Sequence, residues 1–402
     1  MRGGKILLSK ESTGFFILSF MLVSLSALSY VPSPEQFSLY FFAMAYVLFA
    51  LFSFIFSDWW RSISHTCIFL FLLAFLSVIL NFFVSMAVDI QIGKWFRSFV
   101  PIMFFVSLLF APFYLRVIGV RKVFLILLVS CFFYCAFLFI FNFDKFYDFM
   151  RIGGRLTFYL QDSVVPYPYV GVILAVLLPG IKAVVRIVLS CVFLFFVFAV
   201  GYKIQIIFLF GFFLFLPFSY SGAQRKLFVF LALLIMLVGV FVFAGDYIVQ
   251  RFSSIGGGGD QVRMLEIEYA WSVFQSSPLW GGGLGLDVPL NLTRPTYAEQ
   301  SELWASDSVS YIHNFPLYLL MVGGVVFFAL FLILLKFAGV LSVRNFFSSD
   351  KYVQSAVWCS LALIVFFTTS AAFKQIQSVV LLSFFISAFN QLTDQSRRVV
   401  YE

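Results

Sequence analysis

The chain has 402 residues, of which 62% are hydrophobic and only 11% charged, and its mean hydropathy is +1.04. Soluble domains carry roughly a quarter charged residues, so a soluble globular protein is excluded. The net charge of +8 falls largely on short breaks between long apolar runs.

The first run starts at Thr13, behind the basic leader MRGGKILLSK. No small-residue cleavage site follows it; Tyr30 and VPSPEQ lead straight into another span, so the first helix is read as retained. Runs of the length that crosses a bilayer, about 20 residues, begin near residues 13, 37, 67, 99, 123, 169, 187, 204, 227, 315, 352 and 376. Those near 187 and 204 also fit one broken hairpin. All five cysteines, Cys67, Cys131, Cys135, Cys191 and Cys359, lie inside apolar runs, which points to small packing residues rather than disulfides or a metal site. The expected fold class is all-α: a polytopic transmembrane helix bundle of about 12 spans, with one large periplasmic loop bearing amphipathic helices. Residues 1–243 would hold helices 1–9, 244–314 the loop with its catalytic elements, and 315–402 helices 10–12 and a cytoplasmic C-terminus.

Charge placement orients the bundle. With both termini in the cytoplasm, 16 of the 26 basic residues fall on that side, among them Arg121, Lys122, Arg225, Lys226, Arg397 and Arg398. Short loops rich in Lys and Arg stay cytoplasmic. The other ten, Lys94, Arg97, Lys145, Arg151, Arg155, Lys203, Arg251, Arg263, Arg294 and Lys374, fall outside. So many external cations suggest that some bind an anion, although Lys94, Arg97, Lys145, Arg151 and Lys374 read first as interfacial anchors or solvated charges.

The stretch from Ala244 to His313 far exceeds the usual connection length, and loops of that size are normally functional or disordered. Within it, DQVRMLEIEYAWSVFQSSPLWGGGLGL predicts a helix and then a glycine-rich turn. Asp260 can cap the helix, and Met264, Ile267, Trp271 and Phe274 recur at helical steps as one apolar stripe, with Arg263 and Glu266 on a different face. That pattern suits a helix lying on a membrane surface. Pro278 ends it, and Gly281, Gly282, Gly283 and Gly285 permit close backbone approach or positive φ. As a phosphate-binding signal the glycine cluster is weak. The loop closes on SYIHNFPLYLLMVGG, where Asn314 and Pro316 fit the cap and first turn of a membrane helix. His313 is one of two histidines; the other, His65, sits beside Trp59, Trp60 and Arg61 as an interfacial residue.

An arginine-led amphipathic helix running into SPLWGGGLG, followed after a variable stretch by HNFPLYLLMVGG, resembles the shared region of the bacterial O-antigen ligase and O-antigen polymerase family. The close resemblance covers residues 251–324, and the span layout extends it over the rest. It implies a GT-C-type glycosyltransferase of the bacterial inner membrane, acting at the periplasmic face on glycans linked to undecaprenyl pyrophosphate. By the same resemblance Arg263 and His313 are the catalytic pair and Arg155 binds substrate; Arg251, Lys203 and Asn314 are further candidates for binding it. The sequence departs from the family in two places: GYKIQ stands where many members carry a Ser-Arg or Thr-Arg pair, and Met321 and Val322 stand near the position of a frequent glutamate.

These residue types suit the implied reaction. Arginine stays protonated and offers a planar set of donors to phosphate oxygens. Histidine, with an unperturbed pKa of about 6.5, accepts a proton near neutral pH, and nearby arginines favour its neutral form. No Asp-x-Asp or metal-ligand spacing occurs, so the expectation is inverting transfer with no metal and no cofactor. The expected partners are a lipid-linked oligosaccharide, an acceptor glycan, membrane lipids and a chain-length regulator protein, with no nucleic acid. Polymerase is preferred to ligase on the glycine-rich turn and the missing pair. A lipid-linked oligosaccharide flippase is the rival from another class; it would show mid-span charges or two related halves, whereas this chain has almost no mid-span charges and no visible repeat.

Overall fold

The computed structural model describes residues 9–27, 35–55, 63, 65–152, 166–200, 203–219, 258–289, 308–309, 312, 314–369 and 375–401. Fifteen α-helices carry nearly all of them: α1 (Lys10–Ala27), α2 (Glu35–Ile55), α3 (His65–Ala87), α4 (Ile92–Met103), α5 (Ser107–Ile118), α6 (Val120–Phe141), α7 (Phe143–Ile152), α8 (Tyr167–Leu177), α9 (Ala183–Val200), α10 (Lys203–Phe215), α11 (Gly258–Ser276), α12 (Phe315–Phe337), α13 (Val343–Phe346), α14 (Lys351–Thr369) and α15 (Ile376–Tyr401). Two short strands, β1 (Val288–Pro289) and β2 (Ser308–Val309), pair antiparallel with Val288 opposite Val309.

The protein is an all-α membrane protein. Among the described residues five helical stretches are long and apolar enough to cross a bilayer: Cys67–Ala87, Ile92–Ile118, Val120–Phe141, Phe315–Phe337 and Ile376–Asp394. Shorter apolar helices run alongside them. The predicted runs near 13, 37, 67, 123, 169, 187, 204, 315, 352 and 376 fall at or near the starts of helices, whereas the run near 227 lies outside the described residues. The helices at 183–200 and 203–215 are separate elements. The run placed near 99 begins earlier, at Ile92: α4 passes through a 3-10 turn at Phe104–Val106 into α5. Pro101 removes a backbone donor in α4, and the tighter turn follows directly.

The core is built around α15, which packs against α14, α5 and α4, and around α8, which packs against α6, α9 and α14. Its largest fully buried side chains are aromatic: Phe49 stacks on Tyr114 at 4.5 Å between ring centroids, and Tyr134 on Tyr167 at 4.6 Å. Backbone groups in a bilayer must find partners inside the protein, and several buried hydroxyls do the same by folding back. Ser24, Ser53, Ser77 and Ser383 each donate to the carbonyl four residues earlier. Cys67, Cys131, Cys135 and Cys359 are buried and Cys191 exposed, all as free thiols. α12 lies at one side, touching α3 and α14, and α11 docks on it.

Candidate functional site

The site is organised by a break in α12. Asn314 opens this helix in extended geometry, and its Oδ1 accepts the Leu317 N–H at 3.1 Å, the arrangement of an N-cap. The helix then runs to Gly324, whose φ of 60° and ψ of −155° interrupt it. In an unbroken helix the Met321 and Val322 carbonyls would accept from amides four residues on. Here they face the turn that follows α11. Gly282 N–H donates to the Met321 carbonyl at 2.7 Å, Gly283 N–H to the Val322 carbonyl at 3.0 Å, and Val325 N–H to the Pro278 carbonyl at 2.9 Å. Every backbone group named at the break therefore has a partner, which a membrane interior requires.

This contact is possible only without side chains. A Cβ on Gly324 would lie 2.4 Å from the Leu279 carbonyl carbon and oxygen, and one on Gly281 would lie 2.5 Å from the Gly323 nitrogen. Gly281, Gly283 and Gly285 all have positive φ. Close approach and positive φ, both expected of the cluster, occur together. Two of its amides, those of Gly282 and Gly283, are engaged by α12 rather than pointing to an open anion site.

α3 and α4 complete the clamp. Asn81 of α3 donates from Nδ2 to the Val322 carbonyl at 2.7 Å and accepts the Leu284 N–H on Oδ1 at 2.7 Å. The Ser85 hydroxyl donates to the Asn81 carbonyl at 2.8 Å and lies 3.3 Å from the Leu284 carbonyl. Beyond the turn, Asp287 pairs with Lys94 at the start of α4. Lys94, read from the sequence as an anchor or solvated charge, thus ties α4 to the loop. Burial, with the Asp287 carboxylate adding to it, pushes the Tyr269 phenol on α11 above its ordinary value.

α11 turns a mixed face toward α12. Glu266 is 2% exposed and Ala270 is buried, whereas Met264, Ile267 and Trp271 point outward. Arg263 is exposed on α11, and neither it nor Glu266 lacks a partner. A carboxylate that deeply buried is kept only when paired or hydrogen-bonded; Glu268, two residues on, is exposed.

Of the predicted site residues, Arg263 and Asn314 are placed, and the turn joins the helix of the first to the helix that the second opens. His313, Arg155 and Arg251 lie outside the described residues, although His313 stands in the chain between buried Ile312 and the cap at Asn314. Lys203 opens α10, with its side chain outside the described set. Sequence reasoning missed Asn81, Ser85 and the burial of Glu266. Asn81 had a legible signal, a polar side chain in the middle of the apolar run SVILNFFVS.

An apolar cavity of about 120 Å³ lies along α12, lined among others by Ala74 and Val78 of α3, Ile102 of α4, Phe315 and Phe331 of α12, and Leu284 of the turn.

An amphipathic helix carrying an arginine is thus sewn through a glycine turn into a broken membrane helix. Residues 186–332, which include α11, the glycine turn and the break in α12, match the family model described as O-antigen ligase. That region, a little over a third of the chain, is what is similar to the O-antigen ligase family. No curated protein matches it.

Proposed function

We propose that the protein is an O-antigen polymerase that transfers a glycan from undecaprenyl pyrophosphate to a sugar hydroxyl of a lipid-linked repeat unit. The observation that carries this reading is the clamp: it couples the helix of Arg263 to the helix that begins directly after His313 and Asn314. In the proposed reaction the acceptor oxygen attacks the anomeric carbon as the bond to pyrophosphate oxygen breaks, with inversion. His313 takes the acceptor proton. Arg263, with Arg155, Arg251 and Lys203, stabilises the charge on the departing pyrophosphate, so no metal is invoked. Asn314 holds the helix start, its side-chain oxygen already engaged by Leu317.

The apolar cavity beside α12 suits part of a hydrocarbon chain. The outward stripe of α11 suits the membrane surface. We place the loop of 244–314 between nine preceding spans and three following ones, at the periplasmic face of a bacterial inner membrane. A chain-length regulator is the proposed protein partner.

Ligase activity toward lipid A-core is the second reading, favoured by the description of the matching family model. The glycine-rich turn and GYKIQ, in place of the Ser-Arg or Thr-Arg pair, favour polymerase. A chain-length gel of surface polysaccharide separates the readings, using cells without the gene, complemented with the wild-type chain, His313→Ala or Arg263→Ala. Loss of the ladder with single-repeat products retained is the polymerase result; loss of all glycan on the lipid core with lipid-linked polymer accumulating is the ligase result. Full ladders in both variants would falsify the mechanism.

A further inference from the structure

Asn81 is 3% exposed in the middle of a membrane helix whose other faces are strongly apolar. A polar residue so placed faces protein rather than lipid and is expensive to keep. Its amide serves two separate elements at once: Nδ2 holds the Val322 carbonyl in the broken stretch of α12, and Oδ1 holds the Leu284 N–H in the turn, each at 2.7 Å. The Gly282 and Gly283 amides bind the turn and α12 to each other. Asn81 fixes where that joined pair sits against α3.

We propose that Asn81 is a positioning residue for glycan transfer, setting the register of the Arg263 helix and the joined α12 against α3 by holding Leu284 and Val322 together. The proposal rests on the transferase reading above. Leu284 lies in the glycine-rich segment that follows α11, and Val322 lies on the helix that His313 precedes. An aliphatic side chain at position 81 leaves the Val322 carbonyl with Gly283, but strands the buried Leu284 N–H. A stranded donor is costly enough for the turn to move toward another acceptor. Displacement of a reacting group by 1 Å lowers rate on the order of a hundredfold, whereas binding of a long lipid chain spreads over many contacts and is little affected.

The test uses the full chain in lipid nanodiscs, with lipid-linked repeat units as substrate. Asn81→Ala and Asn81→Gln are compared with the wild-type chain by steady-state kinetics, thermal unfolding and the distance distribution between nitroxide labels. The labels are placed at Gln275→Cys on α11 and Val88→Cys near the end of α3, in a Cys191→Ser background. For Asn81→Ala we expect kcat to fall about tenfold or more, KM to stay within about twofold and the distribution to broaden. Asn81→Gln, which keeps both the donor and the acceptor, should recover part of both. Unchanged kcat and distribution in Asn81→Ala would overturn the proposal, as would a rate lost only in proportion to folded protein. If the wild-type chain transfers nothing, the transferase reading fails, and the label distances still decide whether Asn81 sets the register.

Discussion

The two halves of the polar loop are held in different ways. α11 closes its own backbone hydrogen bonds, so side chains alone place it: Glu266 and Ala270 face the protein, and Met264, Ile267 and Trp271 face outward. The turn at 277–288 cannot close its own backbone. It borrows partners from Met321, Val322, Val325 and Asn81, and buries Gly281, Gly283, Leu284 and Gly285 to reach them. Directional bonds in a water-poor setting tolerate little displacement, whereas an apolar face slides at small cost. Damage to the turn should therefore be close to all-or-none, and damage to α11 graded.

The largest expected effect is at Gly324. Its φ and ψ are open only to glycine, and an alanine Cβ would lie 2.4 Å from the Leu279 carbonyl atoms. Strain and overpacking together predict a loss of about 3–5 kcal/mol for Gly324→Ala, seen as a lowered thermal midpoint in detergent together with loss of glycan transfer. Gly211→Ala is the matched control, because a Cβ there meets nothing within 4 Å in the middle of α10; it should be neutral or slightly stabilising. Equal tolerance at the two positions would break the contrast between turn and helix.

That contrast also explains what could be read from sequence. Apolar runs locate most membrane helices because hydropathy alone decides them, and capping chemistry located Asn314 because a cap is local. The break at Gly323–Gly324 is different. Those glycines sit in an apolar run compatible with a straight helix, and only the arrival of Pro278–Gly283 from far along the chain reveals the interruption. The same non-local contact gives the glycine cluster its purpose. Asn81 was visible as a polar residue within a span, yet its partners are 203 and 241 positions away, so no local rule could assign its role. Arg263 and the outward stripe of α11 followed from helical periodicity. The inward direction of Glu266 did not, because periodicity places a residue on a face without saying what covers it.

A smaller effect is expected at Trp271, 47% exposed on α11. If its face rests on lipid, a chain whose sole tryptophan is Trp271 should be quenched strongly by lipids brominated along the acyl chain. One retaining only Trp358, which is 6% exposed within the helix core, should be quenched weakly. Trp271→Ser should lower transfer several-fold without abolishing it, since burial of apolar surface at about 25 cal/mol per Å² makes this anchor worth only a few kcal/mol at most. Equal quenching of both tryptophans would remove the membrane from the account of α11.

The smallest effect belongs to the contact where the clamp reaches water. Lys94 and Asp287 pair with their side chains 46% and 29% exposed, and exposed pairs contribute about 0–1 kcal/mol because water and salt screen them. Asp287→Ala and Lys94→Ala should each shift thermal stability by less than about 1 kcal/mol. A double-mutant cycle should return a coupling that shrinks as sodium chloride is raised from low concentration to 1 M. The buried Asn81 amide bonds, shielded from counterions, should show no such dependence. A large, salt-insensitive coupling between Lys94 and Asp287 would mean that the buried part of the clamp extends to Asp287, and the line between the rigid turn and its solvated edge would move out to β1.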